Sequence, residues 1–388
     1  MRQRESTRIR LGILSVVVVA AVAVALLLPA TASAKITLKE KIGDKQIKLQ
    51  IYGFSQFEMR GGDGQSAEGG LFFKAQRIRV GFNYYHGPIA GKLFLDFNQS
   101  HTDDSGGLPK MIKDAFMAYK WSNSAFIRLG MIKTPLGMSF TVPGWNLDNV
   151  ERNALDKGMV LERDFGLMLS GRLIGQPKDK AMKCDGTEMG AERQGYGWGY
   201  DIGVFNPAGR SSAVKWDKSI LGDALAYVGR IHYDHGPALH IEAAYGISEQ
   251  AGGPNTEDYS VYDVGIASEF DKWELKAEYI NGHNILGVKD QDQNTISLTA
   301  GYMVADNVQA IIKHQQASAD SPTKGTSDLG NTYVGINYYL SPIRYKARDL
   351  QRQKIVINYI LASGDTDNWT GKWGYLDDGW VVQWQYKF

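Results

Sequence analysis

A single cysteine, Cys184, in 388 residues excludes a disulfide framework, so the chain has to be held by its own hydrogen-bond ladder or core. Haem-attachment motifs and metal-ligand spacings are missing as well, and no cofactor is expected. Charge of one sign is also lacking: 43 Lys and Arg stand against 42 Asp and Glu, a formal net charge of +1. That balance excludes nucleic acid as an electrostatic partner. After Leu28 no apolar stretch approaches the ~20 residues a membrane helix needs, and helical periodicity is almost absent. The seven histidines (His86, His101, His232, His235, His240, His283, His314) lack a serine or carboxylate constellation, so an enzyme is not expected.

What is present begins at the N-terminus. Arg2, Arg4, Arg8 and Arg10 precede an apolar run from Leu11 to Leu28 and an Ala32-Ser33-Ala34 site, the pattern of a secretory signal peptide over residues 1–34. Cleavage after Ala34 would leave 354 residues (388 less 34). The removed segment carries four arginines and Glu5, net +3, so the mature chain would sit at −2. At the other end Phe388, Tyr386, Trp384, Val382 and Trp380 alternate with Lys387, Gln385, Gln383 and Val381. This is a strand with one apolar and one wet face, and its terminal Phe resembles an outer-membrane assembly signal.

Between these ends the sequence reads as period-two segments of ~10 residues, the signature of a transmembrane antiparallel β-barrel. Sixteen strands are placed near 46–59, 71–85, 90–100, 112–121, 125–132, 163–174, 196–206 and 223–234, and near 238–250, 259–270, 273–283, 295–305, 307–318, 330–340, 351–363 and 379–388. Long Gly-, Asp-, Ser- and Asn-rich connections (60–70, 101–111, 133–162, 207–222, 251–258, 284–294, 319–329, 364–378) alternate with tight turns such as His86-Gly87-Pro88 and His235-Gly236-Pro237. Long extracellular loops and short periplasmic turns fit that asymmetry. The exceptions are 341–350 and 175–195, the latter holding Cys184 and read as a periplasmic insertion. Two aromatic girdles are expected, with Tyr84, Tyr119, Trp121, Tyr233, Tyr338, Tyr339 and Tyr386 at one interface and Tyr259, Tyr262, Tyr333 and Trp380 at the other.

Parity assigns the faces. Ile78, Val80, Phe82 and Tyr84 share one side, which leaves Arg77 and Arg79 on the other. A charge facing hydrocarbon at mid-depth costs ~2–4 kcal/mol, so these arginines should face the lumen. The same reasoning places Lys48, Lys92, Asp96, Asp114, Arg128, Arg172, Arg230, His232, Glu242, Lys276, Glu278 and Lys354 inside. The third loop, 133–162, carries Phe140, Val142, Trp145, Leu147, Val150 and Leu155, too apolar to extend into solvent, and is read as folded inward to form a constriction. An external lid or a contact between copies would use the same residues. Asp148-Asn149-Val150-Glu151 and Gly158 predict a short helix near 149–157 presenting Arg152 and Lys157.

The runs Phe73-Lys74-Ala75-Gln76-Arg77-Ile78-Arg79-Val80-Gly81, Lys113-Asp114-Ala115-Phe116, Arg128-Leu129-Gly130-Met131-Ile132-Lys133-Thr134-Pro135-Leu136-Gly137 and Glu162-Arg163-Asp164-Phe165-Gly166-Leu167-Met168-Leu169-Ser170-Gly171 resemble the phosphate-selective porin O and P family over about 46–174. The resemblance implies a homotrimeric outer-membrane channel with a basic constriction, passing small solutes and inorganic anions. It points to Arg77, Arg79, Lys133, Arg152 and Arg163 as anion guides, with Asp114, Arg128, Lys157 and Arg172 completing the candidate lining. Asp148, Glu151, Glu162 and Asp164 lie beside these bases, so a mild anion preference is expected rather than strict phosphate selectivity. A barrel that sheathes a partner such as a cytochrome, or serves as a surface adhesin, would share the same strands. His101-Thr102-Asp103-Asp104 is a solvated loop cluster that could hold a cation.

Overall fold

The computed structural model describes residues 36–42, 45–62, 70–99, 111–122, 124–160, 163–172, 196–207, 224–236, 238–249, 257–340, 353–371 and 373–387. The signal segment, Phe388, the 175–195 insertion with Cys184, residues 341–350 and the His101 cluster lie outside them. Seventeen strands are present among the described residues. They are β1 (Ile36–Ile42), β2 (Lys45–Gly61), β3 (Phe72–His86), β4 (Ile89–Asp96), β5 (Ile112–Lys120) and β6 (Phe126–Lys133). After the third loop come β7 (Arg163–Arg172), β8 (Tyr196–Phe205), β9 (Ala226–His235), β10 (Leu239–Ser248), β11 (Tyr259–Phe270) and β12 (Trp273–His283). The ring is completed by β13 (Asp292–Ala305), β14 (Val308–Ser321), β15 (Gly325–Tyr339), β16 (Gln353–Gly364) and β17 (Gly379–Lys387).

Each strand from β2 to β17 pairs antiparallel with the next, and β17 returns to β2 with Trp380 opposite Gly61 and Lys387 opposite Phe54. The result is a closed 16-strand barrel, which leaves no sheet edge in the ring. The strand the sequence reading omits is β1. It pairs with the lower part of β2, Ile36 opposite Ile51 and Ile42 opposite Lys45. Because β2 is 17 residues long and β17 reaches only to Phe54, β1 continues the row that β17 leaves unfinished. No helix among the described residues is long and apolar enough to cross a membrane.

Faces follow the period of two. Met117, Leu129, Leu298 and Ile312 point outward and are exposed, as are many other aliphatic and aromatic side chains around the ring. Such a belt suits hydrocarbon and not water. Inward, the neighbouring positions are polar and buried, among them Gln56, Arg79, Asp114, Arg128, Arg172, Arg230, His232, Glu242, Glu278 and Lys354. The girdle expectation needs three corrections. Tyr259, Tyr333 and Tyr339 are buried on the inner side, and Tyr339 donates its hydroxyl to Gln309 Oε1 at 2.8 Å. A tyrosine ring near a strand end can be buried against the inner wall as well as at a headgroup, so position alone does not choose.

Two connections also differ from expectation. Residues 319–329 are not a long loop, because β14 and β15 pair down to Ser321 opposite Gly325. The helix near 149–157 is absent as well. The third loop contains a four-residue helix α1 (Met138–Thr141) and two single 3₁₀ turns, Gly144–Asn146 and Leu155–Gly158. The bond a helix would make between Ala154 N and Val150 O is replaced on both sides: Ala154 N donates to Gln315 Oε1 at 3.1 Å, and Val150 O accepts from Gln383 Nε2 at 2.9 Å. Partners supplied by the barrel take the place of that helical bond.

Candidate functional site: the basic wall facing the third loop

The third loop leaves β6 through Gly137, whose φ of +75° lies where an L side chain is strained. A Cβ there would also come within 2.9 Å of Val160 Cγ1. The Gly137 N–H donates to Asp263 Oδ1 at 2.9 Å, and Ser139 N donates to Glu278. From that point the loop is sewn to one strand after another. Gln293 Nε2 donates to Leu155 O, Lys313 Nζ to Arg152 O and Asn337 Nδ2 to Asp148 O. Lys354 Nζ donates to Leu147 O, Gln383 Nε2 to Val150 O, Gln385 Nε2 to Trp145 O and Gln56 Nε2 to Gly144 O. These partners sit on β11 to β17 and on β2, half of the ring, and all use the buried polar face.

The remaining arc, starting at β3, is where bases collect. A cavity between it and the loop is lined by Arg79, Lys92, Asp114, Arg128, Lys133, Arg152 and Arg163, together with Phe94, Phe116 and Trp145. Six cations thus meet one carboxylate. None of the six is a bare charge. Arg79 Nε donates to Asp96 Oδ2 at 2.8 Å. Asp114 is shared by Lys92 at 3.0 Å and Arg163 at 2.8 Å. Arg128 donates to Ser170 Oγ at 2.8 Å, and Asp201, 3.8 Å away, is itself paired with Arg230. Lys133 and Arg152 donate to loop carbonyls, Phe140 O and Val142 O, both at 2.6 Å. Buried ions persist only when so partnered, and the partners hold each head group in place.

Arg152 also lines a second cavity on the other side of the loop, with Asp148, Glu151, Lys276, Glu278 and Lys313. Three acids balance three bases there. The loop therefore divides a strongly basic compartment from a mixed one.

Of the nine residues singled out in the sequence, six meet at the basic cavity: Arg79, Asp114, Arg128, Lys133, Arg152 and Arg163. Three are elsewhere. Arg77 turns to Gln56, donating to its Oε1 behind Gly144. Lys157 lies over the ring of Trp373, 3.7 Å from its centroid. Arg172 pairs with Asp234. Parity places Lys92 in the lumen but does not join it to the site, since only the β4–β5 register brings it opposite Phe116 and beside Asp114. Trp145 and Phe94 could have been flagged from the apolar content of the loop and of β4.

One cluster has metal-ligand character. His232, Asp234 and His240 hold their ligand atoms within 4.8 Å of one another on the facing ends of β9 and β10. Asp234, His232 Nδ1 and both ring nitrogens of His240 already have partners. Asp234 accepts from Arg172, His232 and His240, while the other nitrogen of His240 meets Glu242, which pairs with Arg230. With two guanidinium groups on its carboxylates, the cluster fits an ion-pair network better than a divalent cation.

No family model matches the sequence, and neither does any curated protein sequence. Solved structures do resemble the barrel. OmpF of Salmonella typhi, in complex with daunomycin, superposes with a TM-score of 0.61 at 14% identity, covering 88% of this chain and 98% of that one. An anion-selective porin from Comamonas acidovorans gives 0.56 at 14% identity, over 88% and 100%. The trimer form of OmpT, an outer membrane protein of Vibrio cholerae, gives 0.57 at 12% identity, over 88% and 99%. At such identities the likeness is one of fold: this chain has the fold of outer-membrane porins.

Proposed function

We propose that this protein is an outer-membrane porin through which small hydrophilic solutes diffuse passively, with a mild preference for anions. One observation carries the reading: a loop bonded to half the ring faces the other half across a cavity lined by six bases and one acid. In a narrow passage with low-dielectric walls such a charge excess is focused on the permeating ion. Mild preference is favoured over strict phosphate selectivity because each base is tied to a protein acceptor and the compartment beyond Arg152 is charge-balanced. Residues 133–162 act in this reading as the constriction, residues 1–34 as the signal that directs the chain to the outer membrane of a Gram-negative cell, and the assembly as a homotrimer, the form named for one structural neighbour. A sheath around a partner protein would need the loop withdrawn, against its bonds to eight strands. A channel, rather than an enzyme, is what this arrangement supports.

The test is a single-channel recording of the purified protein in a planar bilayer under a potassium chloride gradient. A discrete conductance with a zero-current potential on the chloride side supports the reading, and the absence of steady conductance, or a cation-selective potential, defeats it.

A further inference from the structure

The rings of Tyr52, Phe54, Phe94 and Trp145 form a buried cluster that packs the third loop against β2 and β4, and the parts of Phe94 and Trp145 that reach the cavity indicate which anions the wall suits. Trp145, carried inward by the third loop, meets Tyr52, Phe54 and Phe94 edge-on, with centroids 6.0, 5.4 and 6.1 Å away and interplanar angles of 80, 75 and 88°. Its backbone is fixed too, since Gln385 holds its carbonyl at 3.0 Å. Cationic heads lie on the same surface. The Arg79 guanidinium is 5.7 Å from the centroids of both Phe54 and Phe94. Lys92 lies 5.4 Å from that of Phe94, and Lys387 4.5 Å from that of Trp145. Phe116 and Ile132 extend the apolar share of the lining.

A hydrated inorganic oxyanion would lose water against these rings and gain nothing from them, since a ring face carries partial negative charge. An anion with an aromatic body gains on both counts. Its carboxylate can accept from a guanidinium fork or an ammonium, while its ring meets the edges that Trp145 and Phe94 present to the cavity. A carboxylate monoanion also fits bases that each already serve a protein acceptor. A phosphate dianion is best held by several donors converging on it alone.

Building on the anion-channel reading above, we propose that the basic wall is a transit site for aromatic carboxylates, with Trp145 and Phe94 distinguishing them from inorganic and small aliphatic anions. The experiment adds sodium benzoate, sodium acetate or inorganic phosphate to the single-channel recording in potassium chloride. Benzoate should interrupt the current at concentrations roughly three- to tenfold below acetate or phosphate, the range one aromatic contact supplies. Trp145→Leu should collapse the benzoate-to-acetate ratio towards one. Phe94→Leu, a change on a strand and not on the loop, should do the same should the loop variant fail to assemble. The proposal is overturned if benzoate and acetate act alike on the parent, if phosphate matches benzoate, or if both variants keep the parent's ratio. The two readings fail separately. A chloride-preferring parent that treats benzoate and acetate alike defeats only the aromatic carboxylate site, whereas a cation-preferring parent defeats the anion channel and this site with it.

Discussion

The side-chain amide of Gln385 donates to the main-chain carbonyl of Trp145 at 3.0 Å, across 240 residues of chain. The last strand thereby holds the residue at the turn of the third loop, and Gln383 repeats the contact two positions away on Val150 O at 2.9 Å. Replacing both glutamines by leucine leaves two buried carbonyls without donors, at about 1–3 kcal/mol each. A loop so loosened should produce a noisier open-channel current. A trace as quiet as the parent's would show that the other strands suffice to hold it.

Removing residues 138–158 should raise single-channel conductance, because the deletion takes away α1, both 3₁₀ turns and the bonded carbonyls between them. An unchanged conductance in correctly folded protein would show that the segment does not narrow the path.

Charge changes should separate the bases at the cavity from the one turned away. Arg79→Gln with Arg152→Gln should shift the zero-current potential towards cations, most visibly in dilute salt, where screening reaches beyond the ~8 Å of physiological ionic strength. Arg77→Gln should shift it less, since Arg77 is directed at Gln56. Equal shifts would place Arg77 on the ion path.

Asp114 is shared by Lys92 and Arg163, one oxygen to each. Asp114→Asn leaves both cations without their carboxylate, a loss on the order of 3–5 kcal/mol for a broken buried pair. The temperature at which the folded band disappears on a detergent gel should fall. A parent-like temperature would mean that water in the lumen solvates the two bases.

On the outer face, Leu298 is half exposed. Leu298→Arg should cost ~2–4 kcal/mol if that position lies near the bilayer midplane, and the yield of assembled barrel should drop. Normal yield would place Leu298 near the headgroups.

Much of this was legible in the sequence for a local reason. Alternation within ~10 residues assigns a strand and its two faces together, so the positions of β2 to β17 and the inward parity of Arg79, Asp114, Arg128 and Glu242 follow from period alone. The register was not legible. β1 could not be foreseen because its place depends on where β17 ends along β2, and the short turn between β14 and β15 depends on how far their ladder runs. The expected helix near 149–157 failed because Ala154 N and Val150 O, which it would join to each other, found partners on Gln315 and Gln383, residues far away in the chain.

The amino-acid pattern by itself therefore determined a barrel with an apolar outside and a charged inside, since burial parity is a property of each strand. Only the tertiary structure decided which charges share a compartment. Closure of the ring brings β2 beside β17, the loop bonds to the arc that presents amides and carboxylates to it, and the bases of the opposite arc are left facing a common space. That division rests on contacts between residues far apart in the chain, such as Gln385 with Trp145, which form only once the ring has closed and the register is set.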